Sequence, residues 1–206
     1  MHYINQGSIP EKRHTQHKKT DGSLFVEEHV SREGFSGIYS NIYHYKMPTK
    51  ISKIGKFIDI KNKESQGKHK NRHYYTKKLN ISGDVIDSRK LLLFNEDISI
   101  YKIHANESMK YLYRNSHFDE LLYIQTGKAI FISNFGNISL SSGDYLVIPR
   151  GVIWKVDLEN TLVCLLIESR GPIEIPEKYR NRFGQLMEHS PFCERDIITP
   201  NLQKPN

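Results

Sequence analysis

The chain carries ten histidines and twenty-three acidic side chains, and their spacing decides which of them can act together. His14 and His17 stand as H-x-x-H, a pairing that reads as two surface residues. His69 and His73 would share a helix face four residues apart, but Lys68, Lys70 and Arg72 around them repel a cation. His117, Asp119 and Glu120 cluster more closely. In a strand Asp119 and Glu120 point to opposite faces while His117 and Asp119 share one, so a hydrogen-bonded turn entering a strand is the expected role. Neither His104 nor His117 has an assured carboxylate partner for base chemistry. Arg180, Glu188, Glu194, Arg195 and Asp196 form a further charged set, with no nucleophile or metal motif beside it. Their alternating signs predict an ion-pair network that fixes one segment against another, which makes them candidates for contact with another domain.

The string at 143–154, G-D-Y-L-V-I-P-R-G-V-I-W, carries the most information. It follows the second cupin motif, G-x5-P-x-G-x2-H, up to the last position, where Trp154 stands in place of the histidine. The first cupin motif is G-x5-H-x-H-x3,4-E-x6-G, and Glu120 with Gly127 fits its end. Counting back from Glu120 by the shorter spacing reaches Ser116 and Arg114; the longer spacing reaches Asn115 and Tyr113. None is a histidine, and His117 is out of register under both, which in a strand turns it to the other face. A non-haem iron needs about three converging protein ligands, and an indole offers a metal no lone pair. Trp154 would instead fill the space, contributing about 2–3 kcal/mol of burial. Arg114, Ser116, Glu120 and Trp154 are therefore read as the degenerate positions of a metal site, and this barrel is expected to bind no metal.

Those residues need a β framework, and the pattern between 84 and 170 predicts one. Short apolar or alternating runs recur at 91–94, 98–103, 121–124, 129–132, 138–140, 145–148, 154–158 and 162–168, with turn residues between them. Strands this short and close argue for a sandwich or barrel rather than parallel β/α units. The expectation is an all-β protein, a cupin-like jelly-roll barrel over 84–170. An extended N-terminal arm of short strands, such as 23–26 and 54–60, would cover 1–83 and pack on the barrel. An irregular segment with a short helix at 177–189 would occupy 171–206.

With 206 residues, 37% of them hydrophobic, the chain has enough apolar material for a core. Its net charge of +7 is spread apart from a basic run at 61–78, and no recognition motif accompanies it, so nucleic acid is not an expected partner. The two cysteines, Cys164 and Cys193, form no C-x-x-C pair, and Cys164 reads as a buried thiol. No run of about 18 apolar residues calls for a membrane span, and a cytoplasmic location is expected.

Three stretches resemble the homogentisate 1,2-dioxygenases. They are the arm, with G-S-I-P-E-K-R-H-T-Q at 7–16, E-G-F-S-G at 33–37 and Tyr43-His44; the barrel, with D-E-L-L at 119–122 and G-D-Y-L-V-I-P-R-G at 143–151; and Tyr179-Arg180-Asn181, Gly184-Gln185, Glu188, Pro191 and Glu194-Arg195-Asp196. The resemblance implies two cupin-like halves, of which the second holds Fe(II) through two histidines and a glutamate and opens the ring of homogentisate with oxygen. It implies a product, maleylacetoacetate, in tyrosine and phenylalanine breakdown, and subunits that form trimers and hexamers. The first half is a structural partner, and this chain stops at Asn206, about where the second would begin. No catalytic, cofactor or metal residue carries over to it. Its expected partner is the missing C-terminal cupin half or a homologous subunit, and the chain alone is expected to be inactive. The alternatives are a stand-alone, metal-free binding module, with Arg114 and Arg150 as partners for a carboxylate ligand, or an assembly subunit.

Overall fold

The computed structural model describes residues 16–201 apart from 33, 36–38, 60, 61, 63, 65, 66, 69, 81, 183 and 184. Strands β1 (Val26–Ser31) and β2 (Tyr39–His44) pair as an antiparallel hairpin of their own. The barrel strands follow: β3 (Lys90–Phe94), β4 (Ile98–Ala105), β5 (Tyr113–Arg114), β6 (Asp119–Thr126), β7 (Ala129–Ser133), β8 (Gly136–Leu140), β9 (Tyr145–Ile148), β10 (Ile153–Leu158) and β11 (Leu162–Ser169). They form two antiparallel sheets, ordered β3-β4-β11-β6-β9 and β5-β10-β7-β8. After β6 the chain crosses to the second sheet for the β7–β8 hairpin, returns for β9, crosses for β10 and returns for β11. This is the jelly-roll winding of a cupin-like fold, mainly β as the residue pattern requires.

Alternation along each strand decides what lies inside. In β11 the residues from Leu162 to Ser169 run buried and half-buried in strict turn, so Leu162, Cys164, Leu166 and Glu168 face inward. Across the ladder Leu166 meets Leu122 and Cys164 meets Ile124, while Trp154, Val156, Phe131 and Leu140 close the core from the opposite sheet. Burial pushes the Cys164 thiol up to about 12, so it packs as a small apolar side chain.

Two turns depend on glycine. Gly127, after β6, has φ +102° and lies where an added Cβ would meet Thr161 O at 2.4 Å. Gly151 has φ +88°, and its N–H donates to Asn115 O at 2.8 Å, pinning the Pro-Arg-Gly turn over the chain that enters β6.

Several local expectations change. The first arm strand begins at Val26 instead of spanning 23–26, and β2 was not foreseen. Residues 51–59 take no strand structure, and their apolar side chains are not buried on a sheet (Ile54 and Phe57 are over 80% exposed). The helix expected over 177–189 reduces to one 3-10 turn, Glu177–Tyr179, after which Arg180 and Leu186 form an antiparallel bridge. Residues 1–15, with His14, and residue 69 lie outside the described residues, so the two histidine pairings are left as sequence readings. Among the described residues no helix is long and apolar enough to cross a membrane.

Replacing Gly127 by Ala forces both a left-handed backbone and a steric clash. The expected loss is about 2 kcal/mol or more. Urea unfolding should show it as a lower midpoint with an unchanged slope.

Candidate functional site

The polar interior of the barrel gathers at one end. Glu120 on β6 and Glu168 on β11 stand directly opposite each other across the ladder, both facing inward and both buried. Arg89 enters between them from the turn before β3. That turn is rigid: Asp84 Oδ1 accepts from Ile86 N (2.8 Å) and Asp87 N (3.0 Å), and Val85 is inserted into the core. Arg89 Nη1 lies 2.9 Å from Glu120 Oε1 and 3.1 Å from Glu168 Oε1. The Asn115 amide donates to the same two oxygens, at 3.2 and 3.1 Å. Its orientation is fixed, because Asn115 Oδ1 accepts from His117 N (3.1 Å) and Phe118 N (3.0 Å). The Arg89 guanidinium also lies 5.3 Å from the centre of the Tyr113 ring, which packs edge-on against the Trp154 indole at 5.3 Å.

These contacts identify which motif positions converge. The longer spacing is the correct one: Tyr113 and Asn115 face Glu120. Arg114 and Ser116, reached by the shorter spacing, do not: Arg114 points outward to Glu28 Oε1 on β1, and Ser116 is exposed. Glu120 and Trp154 both lie inside the barrel, each with no more than a trace of exposure. Arg89 and Glu168 were missed, because neither belongs to a motif. The one available signal was Glu168 ending a strand whose other inward positions are apolar.

The donor chemistry does not fit iron. Trp154 Nε1 carries a hydrogen and no lone pair. Asn115 turns its NH2, not its oxygen, toward the centre. Burial pushes the Tyr113 hydroxyl up to about 12, which keeps it a neutral phenol. Glu120 is already held by Arg89, and no group of three metal-binding side chains occurs among the described residues. Burial raises the Glu120 carboxyl above its usual range, opposed by Arg89 and Asn115. Burial works against charge on Arg89 as well, but Glu120 and Glu168 outweigh it and hold the guanidinium protonated.

Asp119, the neighbour of Glu120, faces the other way and is also fully buried. Its Oδ1 accepts from Arg150 N and Arg150 Nε, both at 3.1 Å, and its Oδ2 from Arg32 Nη1 and Ile173 N, both at 3.0 Å. One carboxylate thereby ties together the arm, the Pro-Arg-Gly turn and the segment after β11. Arg114 and Arg150, expected to offer themselves to a carboxylate ligand, are committed to Glu28 and Asp119 instead. Glu28 also meets His44 Nε2 at 2.8 Å within the β1–β2 hairpin, and its pairing with Arg114 joins that hairpin to the barrel. His117 sits in the Asn115 turn entering β6, as expected, and His104 has its pKa pushed down by burial and by Lys102.

The five C-terminal candidates do not form one network. Arg180 pairs with Glu174 at 3.1 Å, and Asp196 accepts from Cys193 N at 2.9 Å. Glu188, Glu194 and Asp196 line an open depression of about 400 Å³, and among the described residues no ion pair joins members of the set. Sequence spacing brings signs into alternation, whereas the bridge between Arg180 and Leu186 turns the chain so that Arg180 reaches back to Glu174.

The homogentisate 1,2-dioxygenase N-terminal family profile matches residues 79–192. A protein of Saccharolobus solfataricus that carries the provisional name of a dioxygenase is 39% identical over 204 residues, 98% of this chain and 52% of that protein. The homogentisate 1,2-dioxygenase of Legionella pneumophila strain Lens is 35% identical over 83 residues, 39% of this chain and 20% of the enzyme. The chain thus spans about half the length, or less, of the curated relatives it matches. A solved RmlC-like cupin from Shewanella frigidimarina aligns over 50% of this chain and 93% of its own, at 16% identity and a TM-score of 0.41.

Two substitutions separate charge from shape in the cluster. The Glu120 pKa is raised on folding, so its contribution to stability is fully present below the ordinary value of 4.5 and is lost as pH rises through the higher folded value. Glu120→Gln is expected to change stability at pH 7 by less than about 1 kcal/mol, since one guanidinium then faces one carboxylate, and to flatten the pH dependence above 4.5. Asp119→Ala leaves two arginines and two backbone N–H groups without their acceptor and is expected to lose about 3–5 kcal/mol at pH 7. Denaturant melts across pH 4–8 read both.

Proposed function

The chain belongs to the homogentisate 1,2-dioxygenase N-terminal family, and on that premise we propose that it is the structural, iron-free half of a ring-opening dioxygenase. The reaction assigned to the whole protein is Fe(II)- and oxygen-dependent opening of homogentisate to maleylacetoacetate, in tyrosine and phenylalanine breakdown. On this reading the iron and the reacting groups belong to the half of the whole protein that lies outside the match. One observation carries the reading: the family match spans the barrel and the segment after it, and the positions where a cupin would hold metal are Tyr113, Asn115, Glu120 and Trp154, closed by Arg89.

What the chain contributes on this reading is a rigid platform. Asp119 fixes the arm and the segment after β11 to the barrel, and on this reading those two segments are the ones that meet a second half or a homologous subunit. Assembly into trimers and hexamers is part of the same proposal.

Oxygen uptake tests it. The chain with Fe(II) and homogentisate should consume oxygen no faster than buffer. Adding the part of the Saccharolobus solfataricus relative that lies outside the match should restore uptake, together with the ultraviolet absorbance of the opened ring. Ring opening by the chain alone, or a stable stoichiometric complex that stays inactive, would overturn the proposal.

A further inference from the structure

We propose that Arg89 is the resident cation of this barrel, a side chain occupying the place where a cupin's metal ligands converge, and that Glu120 and Glu168 form an anionic site able to take a hard divalent cation once the guanidinium is removed. This goes beyond the dioxygenase reading and does not depend on it.

The placement is geometric. Tyr113, Asn115, Glu120 and Trp154 occupy the four motif positions, and Arg89 touches the Tyr113 ring and the Glu120 carboxylate while sharing both glutamate oxygens with Asn115. One Nη1 lies within 3.1 Å of an oxygen of each carboxylate, as one metal ion would bind both. Charge supports the same reading. Two carboxylates face one guanidinium, so the pocket demands positive charge and repels anions. Unpartnered buried atoms are the independent sign of an imperfect fit. Glu120 Oε2, Arg89 Nε, Arg89 Nη2 and Trp154 Nε1 have no hydrogen-bond partner, on side chains that are nine-tenths buried or more. A planar fork satisfies one oxygen of each carboxylate and leaves the second Glu120 oxygen open, where a spherical ion would take oxygens from any direction.

The ligands available without Arg89 are all oxygens, from two carboxylates and a phenol. Such a set selects Mn2+, Mg2+ or Ca2+ over softer metals. Removal of the guanidinium also leaves two buried negative charges uncompensated, so Arg89→Ala should be less stable at neutral pH and should be rescued by metal.

The experiment uses the full chain and MnCl2, read by thermal melts and by the loss of free Mn2+ signal in electron paramagnetic resonance. Wild type should ignore Mn2+. Arg89→Ala should bind one equivalent, and its Tm should rise by about 5–10 °C at a free metal concentration about 100-fold above Kd. Arg89→Ala/Glu120→Gln/Glu168→Gln should fold and bind none. If Arg89→Ala does not fold in buffer, it should refold when Mn2+ is added. A variant that folds and ignores Mn2+, one regaining stability only at acid pH, or a triple variant as unstable as Arg89→Ala would each overturn the proposal, the last by showing that Arg89 acts through packing on Tyr113.

Discussion

A carboxylate taken out of water needs a positive partner, and most of the polar architecture here follows from that constraint at two adjacent residues. Asp119 and Glu120 are both fully buried, yet strand alternation sends them to opposite sides of β6. Each faces desolvation costing several kcal/mol, and each is answered by arginine. Inside the barrel the answer is Arg89, delivered by the Asp84 turn. Outside, it is Arg150 and Arg32, joined by two backbone N–H groups.

The two sites do different mechanical work. Asp119 is saturated by four donors drawn from three parts of the chain, so it acts as a clamp that fixes tertiary position. Glu120 is only partly satisfied, because its Oε2 has no partner. In the inner cluster two carboxylates share one guanidinium, whereas in the outer one two guanidiniums share one carboxylate. A well-packed apolar substitute for the inner cluster would in general be as stable or more so. Its retained polarity matches the positions a metal-binding barrel would use, and a cation of fixed length occupies the centre.

Legibility from the sequence followed the range of the interactions. The barrel strands could be read because each needs only its own alternation and a flanking turn: β9 falls at 145–148 as the pattern required, and β10 and β11 each differ by one residue at an end. Glu120 and Trp154 were legible because a short motif fixes their register. The choice between Arg114/Ser116 and Tyr113/Asn115 was not, since the motif allows both spacings and only folded contacts, Asn115 with Glu120 inside and Arg114 with Glu28 outside, tell them apart. Arg89 was invisible for a different reason: it lies 31 residues before Glu120, on a turn with no pattern in common with the strand it serves. The C-terminal charges misled because alternating signs predict mutual pairing, whereas Arg180 found Glu174, outside the set.

The turns of the two cupin motifs also serve the arginine clamps. The Pro-Arg-Gly turn, whose glycine pins the chain entering β6, also supplies the arginine that clamps Asp119. The motif that elsewhere aims a histidine at a metal here aims Trp154 at Tyr113 and Arg150 at Asp119. The same backbone geometry thus serves two purposes, since a turn rigid enough to place a ligand is rigid enough to anchor an arm. Ile51, Ile54, Phe57 and Ile58 of the arm are at least three-quarters exposed, outside the core that the clamps enclose.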